Sequence, residues 1–128
     1  MWKIGFPLLV ALFAVGLGSF VGGPRDIDVN DEGVQNALNY AVAQYNRGSN
    51  DVYLHGVAKV IKAQSQLVAG MKYIITVEMA RTSCRKSNAD DQCPIQTDSN
   101  TAQPYTCTFT VWSRVWLNDI QLLEMKCE

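Results

Sequence analysis

Cysteine thiols and a single imidazole are the side chains with the most obvious chemistry in this 128-residue chain. They are Cys84, Cys93, Cys107, Cys127 and His55. Zinc is disfavoured because no Cys-x-x-Cys pair occurs and the histidine lies far from the cysteines in sequence. A thiol nucleophile would leave an odd cysteine, and the sequence shows no orienting partner for the histidine. We therefore predict two disulfide bonds, no metal or cofactor, and no enzymatic activity.

An apolar segment near the amino terminus is the first candidate for binding. Phe20 and Val21 precede the glycine pair Gly22 and Gly23. Glycines give such an arm the freedom to lie close to another backbone. The alternative is a frayed terminus without function.

Two candidate turns carry apolar residues where hairpins usually have Asn, Asp or Gly. The first turn consists of Gln66, Leu67, Val68, Ala69 and Gly70. Exposed apolar residues are unfavourable unless something binds them, so this turn is a candidate contact surface. The alternative is that these residues belong to a buried strand.

The second candidate turn holds Val115 and Trp116. Tryptophan is frequent at the centre of protein interfaces, which makes this turn a further contact candidate. The alternative is an indole folded back onto the sheet, an interpretation that suits Trp112 better than Trp116.

An amphipathic helix is expected to support these segments. Apolar residues recur at helical spacing from 32 to 47, and Asn30, Asp31 and Glu32 offer an N-cap and an acidic first turn. Arg47 and Gly48 would end the helix.

Three alternating stretches, at 57–63, 71–79 and 105–111, predict antiparallel strands on which the helix packs, and the Ile and Leu content of 117–125 predicts a last strand. In the first stretch, Val57, Ile61 and Ala63 are expected to share one face. The fold class is therefore α+β, with one long helix across a twisted antiparallel sheet of four to five strands.

The symmetry of the hairpins predicts how the strands pair. The first hairpin would fold about Val68, and the second about Trp116 or Leu117. With Leu117 at the centre, Cys107 and Cys127 lie opposite each other, at a separation that a disulfide can bridge. The other bridge, Cys84–Cys93, would then close the polar stretch between the hairpins, which we expect to be a mobile surface loop extending to residue 104.

The amino-terminal segment resembles a secretory signal. A short basic opening, an apolar run and small residues at Gly16 and Gly18 predict cleavage near residue 18, leaving a single domain at 19–128 that is secreted. Without Lys3, ten basic and twelve acidic residues give a formal net charge of −2. This charge predicts binding neither to nucleic acid nor to anionic membranes.

Taken together, the glycine pair, the helix, Gln66-x-Val68-x-Gly70, the four cysteines and Trp116 resemble the secreted, two-disulfide (type 2) cystatins. The stretches around Lys59 and Lys72 are similar to fish cystatins in particular. The resemblance implies a competitive inhibitor of papain-like cysteine proteases, the class of cathepsins L, B, S and H, that inserts its arm and both turns into the active-site cleft. One departure is Val115, where the family usually has proline.

The resemblance also implies a second site, because similar cystatins use an asparagine at the position of Asn50 to inhibit legumain-type proteases. Asn50 would otherwise be an ordinary polar turn residue. We expect a monomer, with a domain-swapped dimer as a further state. The alternative function is that of a non-inhibitory secreted binding or host-defence module on the same fold.

Overall fold

The computed structural model describes residues 23–88 and 93–128. The predicted signal sequence at 1–18 lies outside the described residues. So do Phe20, Val21 and Gly22.

A five-stranded antiparallel sheet, in the order β1-β2-β3-β4-β5, forms the frame of the molecule. A 17-residue helix packs across one face of this sheet. The elements are β1 (Arg25–Asp26), α1 (Glu32–Gly48), β2 (Tyr53–Val68), β3 (Gly70–Arg85), α2 (Ser99–Ala102), β4 (Tyr105–Arg114) and β5 (Asp119–Cys127). The α+β prediction is confirmed. No helix in the part of the chain that is described has the length and apolar content to cross a membrane.

Helix α1 begins and ends close to the predicted residues. The Asp31 carboxylate caps it by accepting hydrogen bonds from the backbone N–H groups of Gly33 and Val34, at 2.9 and 3.2 Å. This cap satisfies two amides that have no partner within the helix. The helix ends one residue later than expected, because Gly48 is still helical and the extended Ser49 is the cap.

The core lies between α1 and the inner faces of β3 and β4. The buried residues are Val34, Ala37, Leu38, Ala41, Ala63, Tyr73, Ile75, Val77, Met79, Cys107, Phe109 and Val111. Every second residue of β3 and β4 points inward, as the alternation in the sequence predicts.

Strand β2 departs from the predicted pattern. Ile61 is 51% exposed, whereas Val57, Val60 and Ala63 face the core. Irregular pairing between Val57 and Lys59, and again between Val60 and Lys62, inserts extra residues into the strand. Each bulge shifts the inward face by one residue, so the prediction that Ile61 shares a face with Val57 and Ala63 is wrong.

The hairpin turns lie close to their predicted centres. Val68 pairs with Gly70, so Ala69 is the turn residue and the first hairpin folds one residue later than predicted. In the second hairpin, Arg114 pairs with Asp119, and the turn is centred between Trp116 and Leu117. A bulge between Thr110 and Val111 changes the register further from the turn. For the pairs beyond this bulge, which include Cys107 and Cys127, the centre of symmetry is Leu117.

Both disulfide predictions are confirmed. Cys107 and Cys127 are directly opposed on β4 and β5, with Cα atoms 4.0 Å apart, and Cys84 is bridged to Cys93. The mobility expected as far as residue 104 stays a prediction, but 93–104 is not a plain loop, since part of it pairs with β3 and Ser99–Ala102 is helical. The start of this segment lies alongside β3 and is hydrogen-bonded to it. The N–H of Ser83 donates to Pro94 O, and the N–H of Gln96 donates to Arg81 O, both at 3.0 Å.

Candidate functional site

The turn between β2 and β3, residues 66–70, is called the first loop. Leu67 is 82% exposed and Ala69 is also exposed, while Val68 is half-buried. The expectation of an exposed apolar turn is therefore correct for Leu67. A leucine in this position loses favourable burial energy in the free protein and regains it only against a partner.

Gly70 ends the first loop in a backbone conformation that other residues rarely adopt, with φ of +106°. A Cβ atom at this position would also lie 2.5 Å from the carbonyl oxygen of Ser113 on β4. Both facts require glycine, because a side chain would strain the backbone and separate the loop from β4.

The second loop comprises residues 115–118. Val115–Leu117 form one turn of 3₁₀ helix, and the left-handed Asn118 (φ 49°) donates its N–H to Val115 O at 3.0 Å. Val115, Trp116 and Leu117 are 82%, 62% and 55% exposed. Trp116 therefore points away from the sheet, as expected. Sequence reasoning did not single out Leu117, although an apolar residue beside Trp116 was the available signal.

The amino-terminal arm reaches the same end of the sheet. Gly23 is exposed, and β1 pairs antiparallel with β2 through Arg25 and Ser65. Traced backwards from Arg25, the chain therefore runs towards Leu67 in the first loop. Gly23, the first loop and the second loop are together called the loop edge.

The two loops are joined by side chains of the second hairpin. The indole Nε1–H of Trp112 donates to Ala69 O at 2.9 Å, so Trp112 folds back onto the sheet as expected. The Arg114 guanidinium lies 4.2 Å above the centre of the Trp112 ring. Its Nε donates to Asp119 Oδ2 at 3.1 Å. Hydrogen bonding from Arg114 holds the pKa of Asp119 below its ordinary value, so the carboxylate remains charged in mildly acidic solution.

Comparison with known proteins places this arrangement in a family. Residues 22–116 match the family model described as "Cystatin domain". The chain is 54% identical to "Cystatin-C" of Paralichthys olivaceus, over 99% of this chain and 100% of that protein. It is 49% identical to "Cystatin" of Oncorhynchus keta, over 99% and 98% of the two chains. The chain belongs to the cystatin family. Cystatins are inhibitors of cysteine proteases and not enzymes.

Solved cystatin structures share the architecture of this chain. The crystal structure of dimeric human cystatin F matches with a TM-score of 0.72 and 32% identity, covering 84% of this chain and 86% of that one. The resemblance to two-disulfide cystatins of fish, noted from the sequence, is therefore confirmed by the family match, by both fish relatives and by the two bridges.

The far end of this cystatin, at the start of β2, carries Asn50 on an exposed turn. Neighbouring contacts fix this turn. The Lys86 Nζ donates to Ser49 O at 2.6 Å, and the N–H of Asp51 donates to Ser49 Oγ at 3.1 Å. The length of β2 separates Asn50 from the first loop.

His55 does have orienting partners, contrary to the sequence expectation. Its Nε2 lies 2.8 Å from Asp51 Oδ2, and its Nδ1 lies 2.6 Å from the hydroxyl of Tyr105. Arg81 Nε also donates to Asp51 Oδ2, at 2.9 Å. Although desolvation opposes ionisation of Asp51, hydrogen bonds from the Tyr53 backbone, His55 and Arg81 lower its pKa to about 2. The partners are distant in sequence, except for Asp51, whose i, i+4 spacing was the available signal.

Asp51, His55, Arg81 and Tyr105 are together called the Asp51 cluster. The contacts within this cluster link strands of the sheet, and the cluster contains no activated nucleophile. Burial raises the pKa of Tyr105 above its ordinary value, and a hydrogen bond with Tyr45 raises it further. The hydroxyl therefore stays protonated and is a poor nucleophile. What the cluster does is tie the start of β2 to β3 and β4.

Proposed function

We propose that the mature protein is a reversible, tight-binding, competitive inhibitor of papain-like cysteine proteases, the class of cathepsins L, B, S and H. The observation that carries the proposal is the position of Leu67, Val115 and Trp116. All three are largely exposed, and both of their loops lie on the end of the sheet towards which Gly23 runs. Apolar groups clustered at one end of an otherwise well-packed domain are typical of a binding surface.

The loop edge would enter the protease cleft as a wedge. Phe20 and Val21 would occupy the non-primed subsites, and Gly22 and Gly23 would bring the arm beside the catalytic cysteine without presenting a scissile bond. The first loop, with Gln66 and Gly70 at its ends, would fill the centre of the cleft. Trp116 and Val115 would pack on the primed side. Inhibition then needs shape and apolar burial alone, with no covalent step.

The hairpins favour tight binding because they are ordered before the protease arrives. Association loses affinity when side chains and loops must be immobilised, and each such side chain costs about 0.5–1.5 kcal/mol. Strand pairing extends to the base of each loop, through Val68–Gly70 and Arg114–Asp119, and so limits the conformations that the loops can adopt. The ordering cost then falls mainly on the arm.

Papain with a blocked thiol separates this mechanism from a reaction with the catalytic cysteine. We expect competitive inhibition that is reversed by dilution, and retained binding to papain whose cysteine has been alkylated with a small group. Gly70→Asp would serve as a non-binding control. Loss of all binding on alkylation, or inhibition that dilution does not reverse, would contradict the proposal.

We also propose that residues 1–18 are removed on export and that residues 19–128 are secreted. Two disulfide bonds support this localisation, because such bonds persist in oxidising compartments. Expression in a secreting host, followed by amino-terminal sequencing, should give a start within a few residues of Ser19. A retained Met1 in the medium would overturn the cleavage prediction.

A second target class, legumain-type proteases, is proposed for Asn50. The supporting observation is that this exposed side chain projects from a turn held by Ser49, Asp51 and Lys86. Asn50→Lys should abolish legumain inhibition and leave papain inhibition unchanged. Legumain inhibition that survives the substitution would exclude Asn50 as the contact.

We propose a monomer as the inhibitory form. A domain-swapped dimer would have to straighten the turn at Ala69, because β2 and β3 pair across it. Such a dimer should lose papain inhibition. Size-exclusion chromatography coupled to inhibition assays would test this, and a monomer without inhibition would favour the alternative, a non-inhibitory secreted binding or host-defence module.

A further inference from the structure

We propose that Trp112, Arg114 and Asp119 are positioning residues that hold the first and second loops in one fixed arrangement, so that order in the first loop depends on an ion pair at the base of the second. This inference deepens the proposed function, on which its consequence for inhibition rests. The three residues are called the brace.

Trp112 provides the link between the hairpins. Its indole N–H donates to the carbonyl of Ala69, the turn residue of the first loop, at 2.9 Å. A Cβ atom on the adjacent Gly70 would lie 3.2 Å from Trp112 Nε1 and 2.8 Å from Arg114 Cγ. Side chains of β4 therefore pack directly beneath the tip of the first hairpin.

Arg114 holds the indole in place from above. Its guanidinium lies 4.2 Å from the centre of the Trp112 ring, within the range of a cation–π contact. Nε and Nη2 of the same guanidinium donate to one oxygen of Asp119, at 3.1 and 2.5 Å. Because Arg114 is held by Asp119 through its N–H groups and also lies over the indole, its position restricts that of the ring.

Asp119 anchors the brace to β5. Arg114 and Asp119 form the last paired residues before the second loop. Gln121 Nε2 also donates to Asp119 Oδ2, at 3.1 Å. The contacts thus run without a break from the tip of the first hairpin to the base of the second loop.

The brace restricts the second loop, in which Val115 stands where the family usually has proline. Val115 leaves φ free to vary, so the loop has more conformations to lose on binding than a loop with proline. The ion pair across its base, together with the left-handed Asn118, restricts the same segment from outside. Contacts between side chains thus provide the restraint that the covalent ring of a proline would otherwise impose on the second loop.

Two substitutions break the brace at different points, with a matched control. Trp112→Phe keeps an aromatic ring under Arg114 and removes only the N–H donor. Asp119→Asn removes the charge two strands away from the first loop. Glu124→Gln removes the charge from the exposed Lys126–Glu124 pair on the same strand, which lies outside the brace.

Amide ¹⁵N relaxation of the free mature protein tests the brace without any protease. In both brace variants we expect the order parameters of Val68, Ala69 and Gly70 to fall from rigid values to below about 0.6. Glu124→Gln should leave them unchanged. Unchanged order parameters in either brace variant would overturn the proposal.

Papain inhibition tests whether the order that the brace gives to the loops contributes to binding. Both brace variants should raise the inhibition constant by about tenfold, because the loops must then be ordered on binding. A parent protein that does not inhibit papain would contradict the proposed function but leave the brace intact if the order parameters fall. Flexible loops with unchanged inhibition constants would overturn the link between the brace and binding.

Discussion

Trp116 keeps 62% of its surface exposed, although tryptophan gains much from burial. Its side chain contributes little to the packing of the domain, which supports the contact with a protease that we propose for it. Trp116→Ala should raise the inhibition constant for papain by about 30-fold, equivalent to about 2 kcal/mol, with an unchanged melting temperature. Leu123→Ala, a substitution of an apolar residue on β5 that is 49% exposed, is the control. Equal effects of the two substitutions on inhibition would contradict the role of Trp116.

Val115 allows a direct test of what proline contributes in the second loop. Arg114 has φ −122° and ψ 89°, which lies outside the right-handed helical region that proline disfavours for the residue before it. Val115→Pro should therefore lower the inhibition constant by about two- to fivefold, through a smaller loss of entropy on binding. Inhibition constants that do not change for any protease would sink this explanation.

Asp51 should make the stability of the fold dependent on pH. Its pKa in the folded protein, about 2, lies below the ordinary 3.8, so the ionised carboxylate stabilises the fold above pH 3.8 and this contribution is lost as the pH falls through 2. With solvent screening considered, Asp51→Asn should lower the free energy of unfolding by about 1–2 kcal/mol at pH 7. Urea denaturation should show this difference shrinking towards pH 2. A difference that is constant between pH 7 and pH 2 would contradict the assignment.

At the scale of elements, the sequence predicts best where local pattern and tertiary packing agree. Helix α1 and the inner faces of β3 and β4 follow the expected periodicities, because each has one face on the core. The Cys107–Cys127 bridge followed from hairpin symmetry, because a disulfide requires opposed residues.

The sequence predicts less well where pairing is irregular. The bulges of β2 have no local signature, and they exchange the inward and outward residues around Ile61. The segment 93–104 has the composition of a loop, yet it is hydrogen-bonded to β3 by contacts distant in sequence. In the candidate site, the exposure of Leu67 and Trp116 was predictable, whereas the contact from Trp112 to Ala69 was not, because it depends on how the two hairpins pack.

Two glycines at element ends should respond oppositely to alanine. Gly70→Ala meets both a positive φ and the Ser113 carbonyl, so it should destabilise the fold by about 1–3 kcal/mol and weaken papain inhibition. Gly48→Ala meets no atom within 4 Å and lies in the last turn of α1. It should stabilise the fold by about 0.5 kcal/mol. Urea titrations of both variants would measure these changes in the free energy of unfolding. Equal effects of the two substitutions would contradict the requirement for glycine at position 70.

At the scale of the whole molecule, the sheet separates two surfaces. The loop edge lies where β2 ends, and Asn50 lies before β2 begins, with a 16-residue strand between them. Strand β2 and its partner β3 are held at the far end by the Asp51 cluster, and β4 and β5 by the Cys107–Cys127 bridge. Such a frame would allow one domain to present the two contact surfaces that we propose.

Titration of papain and of a cathepsin L with the refolded mature protein tests the central claim most directly. A variant lacking the residues up to and including Gly23 should be titrated beside it. The account predicts stoichiometric, reversible inhibition by the parent, and an inhibition constant raised by about tenfold or more in the truncated variant, because the arm's contacts are lost. A monomer with both disulfide bonds formed that inhibits neither protease would contradict the account, and the protein would then be a cystatin-fold binding module with a different partner.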